Sequence, residues 1–142
     1  MTFQVYFTVD EQPVGKQRPK FSRAGGFVRT YTPAKTVGYE SKVRDAAKKA
    51  MGSSHPLETP VSAYVHVRLP VPKSYPKQRT KDCLNGFERP TKKPDLDNIV
   101  KSITDAINGI CYVDDCQIVN IHATKVYSTI AGVDVMIKEC LE

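Results

Sequence analysis

The chain has 142 residues, of which 40 % are hydrophobic and 25 % charged, and its formal net charge is +6. That length suits one domain around one core, and the lack of an apolar run near the roughly eighteen residues of a membrane span, or of a charged-then-apolar leader, predicts a soluble intracellular protein. The charge is divided unevenly: residues 1–94 hold 18 Lys/Arg against 7 Asp/Glu, and residues 95–142 hold 3 against 8.

Phe3, Val5, Phe7 and Val9 alternate with Thr2, Gln4, Tyr6 and Thr8, the period of a half-buried strand. A basic arm follows at about residues 15–35, carrying Lys16, Arg18, Lys20, Arg23, Arg29 and Lys35 and no acid. Gly25-Gly26 followed by Phe27–Tyr31 predicts a hairpin within it. Such an arm suits phosphate contacts, with Phe21, Phe27 or Tyr31 able to stack on an unpaired base; the plainer account is a solvated charged loop.

Thr32-Pro33 reads as N-cap and first helical residue of a helix ending at Gly52. Val37, Val43, Ala46, Ala47, Ala50 and Met51 form its predicted apolar stripe. Val61, Ala63, Val65, Val67 and Leu69 then mark a second strand, with His66 on its other face as a plain polar group. Residues 70–94, with five prolines and seven Lys/Arg, predict a long connection holding at most a short helix within 73–84.

Leu96, Ile99, Val100, Ile103, Ala106, Ile107 and Ile110 predict an amphipathic helix over residues 95–108, closed by Asn108-Gly109. Asp95 and Asp97 stand at its start, Lys101 one turn in, and Asp114-Asp115 just past its end. Caps and an Asp97–Lys101 ion pair account for the first three residues. They leave the second acidic pair unexplained. Several aspartates brought together repel one another, and a hard cation relieves that repulsion with oxygen ligands while keeping positions for water and phosphate. A cationic body around an acidic site favours a metal-dependent nuclease over a passive polyanion binder. Residues 118–127 and 131–139 then alternate as two strands and predict a closing antiparallel hairpin, with His122 as a structural residue.

Cys83, Cys111, Cys116 and Cys140 form no CxxC pair, and His55, His66 and His122 fall at no ligand spacing from them. That pattern argues against a zinc site or a disulfide framework and predicts buried or half-buried free thiols.

The segments D-L-D-N-I-V-K at 95–101, D-A-I-N-G-I at 105–110 and Y-V-D-D-C-Q-I-V at 112–119, with K-Q-R-P-K at 16–20, resemble the RusA-type Holliday junction resolvases over nearly the whole chain. The resemblance implies an α+β fold, a two-layer sandwich with a mixed sheet and helices on one side. It maps the catalytic carboxylates to Asp95, Asp97 and Asp115 and the essential lysine to Lys101, with Asp114 as a further metal ligand. It also implies Mg²⁺ as cofactor, with Mn²⁺ able to substitute, and a homodimer that nicks four-way DNA junctions in a bacterial or phage-infected cytoplasm, without a membrane partner. Lys16, Arg18, Lys20, Arg23 and Arg29 are the expected DNA contacts. The rival readings are a nuclease for other branched or flapped DNA and a non-catalytic DNA-binding protein.

Overall fold

Val61, Ala63, Val65, Val67 and Leu69 turn one continuous apolar face inward from strand β4, Val61–Pro70, and the rest of the sheet is laid on either side of it. The structure, a computed structural model, describes residues 2–16, 20–24, 27–31 and 34–141, with the backbone alone described between 20 and 36. Strand β1, Gln4–Val9, alternates as predicted, with Val5, Phe7 and Val9 buried. It is followed by β2, Lys20–Ala24, and β3, Phe27–Tyr31, which form a separate antiparallel hairpin within the basic arm. Then come helix α1, Ala34–Met51, strand β4, helix α2, Lys77–Leu84, helix α3, Leu96–Ala106, strand β5, Ile118–Ser128, and strand β6, Gly132–Glu139.

The main sheet runs β1-β6-β4-β5, with β4 parallel to β5 and antiparallel to β6, so it is mixed. Helices α1 and α3 share a single core with its inner face, while Tyr6, Tyr64 and His66 lie on the open face. This is the α+β sandwich expected.

Two details differ from the sequence reading. The last two strands form no hairpin with each other: β5 and β6 flank β4 on opposite sides. Alternation fixes which face a residue takes but not which strand lies beside it. Here Arg68 of β4 donates from Nη1 to the Ile130 carbonyl at 2.7 Å and from Nε to Asp134 at 3.2 Å, holding the crossing chain over the strand end. In α1 the buried stripe is Tyr39, Val43, Ala47 and Met51, spaced four apart, and Val37 and Ala50 are exposed. A large aromatic at the start of that row removes more surface from water than valine does. The expected cap at Thr32-Pro33 lies outside the described residues.

Helix α3 owes its place to packing. Ile99, Ile103 and Ile107 are fully buried, each contributing about 2 kcal/mol, so the helix stands without a side-chain cap at its start. Past its end Gly109 takes φ 82°, a left-handed conformation that only glycine adopts without strain. The buried Tyr112 hydroxyl donates to the Thr104 carbonyl at 2.6 Å and pins the returning chain to the helix.

Candidate active site

The approach to α3 is clamped from the sheet. The Lys125 ammonium on β5 donates to the carbonyls of Lys92 at 3.0 Å and Pro94 at 3.1 Å. Arg89 in turn donates from Nη2 to the Lys125 carbonyl at 3.1 Å. On the other side Gly15 abuts the same segment: a Cβ there would stand 3.2 Å from that of Asn98 and 3.4 Å from that of Pro94. Asp95 therefore enters in an extended conformation, φ −69° and ψ 141°, at the N-cap position.

The Asp95 side chain makes no capping hydrogen bond, and Asp97 follows in the first turn. Both are exposed, and among the described residues neither carboxylate takes part in a hydrogen bond or an ion pair. The capping account of these residues thus fails on geometry. Two uncommitted carboxylates stand beside the unpaired amides of a helix start, which favour anionic groups. They have the oxygen chemistry that a hard divalent cation takes from one or two carboxylates.

Lys101 does not pair with Asp97. Its Nζ lies 3.1 Å from Oδ1 of Asp105, the residue one turn further along. The other oxygen of Asp105 lies 3.4 Å from Nζ of Lys16, which approaches Glu40 of α1 to 2.6 Å. Partial burial works to lower the Lys16 pKa, but the hydrogen bond and charge of Glu40, joined by Asp105, outweigh it and leave the ammonium above its ordinary range. The Lys16 amide also donates to the Asn98 carbonyl at 2.9 Å. A cleft of about 410 Å³ opens here, lined by Gln12 to Lys16, Lys93 to Asp95 and Asn98.

The second acidic pair lies at the far end of the helix. Asp114 caps a single 3-10 turn, Asp115–Gln117: its carboxylate accepts from the amide of Asp115 at 3.0 Å, and Gln117 Oε1 accepts from the Asp114 amide at 2.8 Å. Hydrogen bonds from Cys116 and then Asn108 hold the Asp114 carboxyl below its ordinary value of 3.8. The Asp115 carboxylate is left out of that cap and is half-exposed. Asn108, past the C-terminal end of α3, reaches Asp114 at 3.4 Å, whereas Asp95 starts a helix of 11 residues that rises about 16 Å. Accordingly, among the described residues no three His, Cys, Asp or Glu side chains gather closely enough to hold a metal ion. One chain brings Asp95 and Asp97 to the start of α3 and Asp114 and Asp115 past its end, with Lys101 at mid-helix, turned to Asp105 one turn further on.

Of the expected DNA contacts, Lys16 is held at the root of the arm by two carboxylates, and Arg18 lies outside the described residues. Lys20 and Arg23 fall on β2 and Arg29 on β3, on the hairpin that the arm forms. Sequence reasoning missed Asp105, Glu40 and Lys125. Only the first carried a signal, its position four residues from Lys101. The four cysteines form no disulfide, as expected, but Cys116 is exposed.

No helix is long and apolar enough to cross a membrane, among the described residues. The sequence is 40 % identical over 141 residues to the uncharacterized protein YqaN of Bacillus subtilis (strain 168), covering 95 % of this chain and 96 % of that one. It is 25 % identical over 143 residues to the crossover junction endodeoxyribonuclease rusA of Lactococcus phage r1t, covering 98 % of this chain and 99 % of the phage protein. The sequence model of the endodeoxyribonuclease RusA family matches residues 10–138, a span that takes in the arm, α3 and both acidic pairs, and the chain belongs to that family.

Proposed function

We propose that this protein is a Mg²⁺-dependent endonuclease that resolves four-way DNA junctions by paired nicks, acting as a homodimer in recombination and repair. The observation that carries the reading is the pair of exposed, uncommitted carboxylates of Asp95 and Asp97 at the start of α3, on a body otherwise rich in cations. The phage relative, whose name assigns it crossover junctions, supports the substrate.

In this reading Asp95 and Asp97 hold the cation, and Asp115 completes the ligand set, with Asp114 fixing the turn that presents it. Mg²⁺ bound there supplies a polarised phosphate and a readily ionised water. Lys101 places positive charge where the phosphate gains negative charge. Lys20, Arg23 and Arg29 hold the flanking phosphates, together with Arg18. The separation of Asp115 from Asp95 and Asp97 along α3 supports a dimer in which the partner subunit's Asp115 meets Asp95 and Asp97. An apolar patch of Leu96, Val100, Ile121 and Ala123 borders Asp97 and Lys101, and Val119 and Ile121 on the β5 edge are each 56 % exposed. Such a surface suits a self-complementary two-fold contact.

The deciding experiment is cleavage of a synthetic four-way junction by the purified chain with Mg²⁺ and with chelator. Symmetric paired nicks that depend on the metal are expected. Metal-independent binding without cleavage would establish the non-catalytic reading, and equal cutting of forks or flaps would widen the substrate to branched DNA in general.

A further inference from the structure

The D-A-I-N-G-I segment contributes a charged residue that the proposed chemistry leaves without a task. Asp105 offers one oxygen to Lys101 at 3.1 Å and the other to Lys16 at 3.4 Å. Lys16 is anchored by Glu40 at 2.6 Å and by its amide on the Asn98 carbonyl at 2.9 Å. Lys101 has no such anchor. Its side chain is 59 % exposed, and Asp105 is its one hydrogen-bonding or ionic partner among the described residues. A lysine has a flexible four-carbon stem, so the direction in which this ammonium points is set by Asp105. The direction of Asp105 is set in turn by Lys16.

The geometry points to Asp105 as a positioning residue for cleavage: a single carboxylate that holds Lys101 in place and ties it to Lys16 at the root of the DNA-binding arm. The inference rests on the nuclease reading above. Magnitudes separate it from a structural role. Exposed or half-exposed ion pairs add little to stability, whereas a misplacement of about 1 Å in a reacting group costs roughly a hundredfold in rate. The Glu40–Lys16–Asp105–Lys101 series also gives the arm a route to the site, since a DNA phosphate that draws Lys16 away from Asp105 frees that carboxylate's second oxygen for Lys101.

The test compares the full chain with Asp105→Asn and Asp105→Glu, using a four-way junction and Mg²⁺. Asp105→Asn is expected to lower the single-turnover cleavage rate about 10- to 100-fold while changing junction affinity less than about twofold. Asp105→Glu, which keeps a carboxylate within reach of both amines, is expected to recover most of the rate. Side-chain NH₃⁺ signals of Lys16 and Lys101, assigned with Lys→Arg variants, should both move in Asp105→Asn in the absence of DNA. An Asp105→Asn protein that cuts as fast as the parent overturns the inference. So do two variants that are equally slow and equally destabilised, or a Lys16 signal that does not move. A parent chain that cuts no DNA removes the nuclease reading itself and this inference with it, an outcome distinct from an active parent with an equally active Asp105→Asn variant.

Discussion

The Lys125 ammonium lies 3.1 Å from the Pro94 carbonyl, so the residue immediately before Asp95 is held by the sheet and not by the helix that Asp95 begins. The same ammonium takes the Lys92 carbonyl at 3.0 Å. Replacing Lys125 by Met keeps most of the aliphatic stem and removes both hydrogen bonds. The expected cost is about 1–3 kcal/mol in urea denaturation, with a fall in junction cleavage of about 10- to 100-fold as Asp95 loses its place. Normal cleavage by a Lys125→Met protein would show that the clamp is irrelevant to the site.

Asp97→Asn and Asp115→Asn should each abolish Mg²⁺-dependent nicking while leaving junction binding intact or tighter, since each removes a negative charge that repels the polyanion. Mixed in equal amounts and allowed to exchange subunits, the two inactive proteins should regain about a quarter of the parental sites. Half the dimers are then mixed, and each mixed dimer holds one intact site if the ligands come from both subunits. No recovery after verified exchange would place all the ligands within one chain.

Charge reversal at Arg18, Lys20, Arg23 and Arg29 should weaken junction binding and reduce the slope of log K against log salt by about 0.9 for each phosphate that the arm no longer neutralises. Lys16→Glu is a different experiment, because its ammonium is already engaged by Glu40 and Asp105. An unchanged slope after reversal of the four arm residues would remove the arm from the DNA interface.

Legibility follows the range of the interaction. Helix α3 is readable because Ile99, Ile103 and Ile107 repeat at helical spacing and the core takes all three; β1 and the inward face of β4 are readable from alternation in the same way. The partner of Lys101 is not. Asp97 and Asp105 stand four residues to either side of it, and intrinsic preference favours the acid on the N-terminal side. Asp105 wins because Lys16 and Glu40, distant in sequence, hold it in place. Nor does spacing reveal how far apart a rigid helix keeps the two acidic pairs, or that β5 and β6 pass on opposite sides of β4.

Cys116 reports on the Asp114 turn through pH. Its thiol donates to the Asp114 carboxylate, and this hydrogen bond, followed by burial and the charges of Asp114 and Asp115, raises it above its ordinary value of 9.0. Alkylation at about pH 8 should be slower than for an unhindered cysteine, with a midpoint above 9.0, and Asp114→Asn should bring that midpoint down. The carboxyl has the opposite sign. Because its folded pKa is depressed below 3.8, its stabilising contribution is present above that pH and is lost as pH falls through the lower folded value. Thiol reactivity measured from about pH 7 to 11 checks the first expectation, and an unchanged midpoint in Asp114→Asn would refute it. Thermal melts of parent and Asp114→Asn, converging as pH drops below 3.8, check the second.

The pairing of β1 with β6, which matches Gln4 to Lys138 and Val9 to Val133, has a consequence for how the protein is made. Strand β1 has no partner in the main sheet until β6, more than a hundred residues later in the chain, has been added, since β6 alone joins it to β4. Closing so long a loop is slow, and Val5, Phe7 and Val9 remain exposed to unintended partners while they wait. Final assembly of the sheet, and with it the placement of α3, therefore waits for β6, long after the cationic arm that precedes it in the chain has been made.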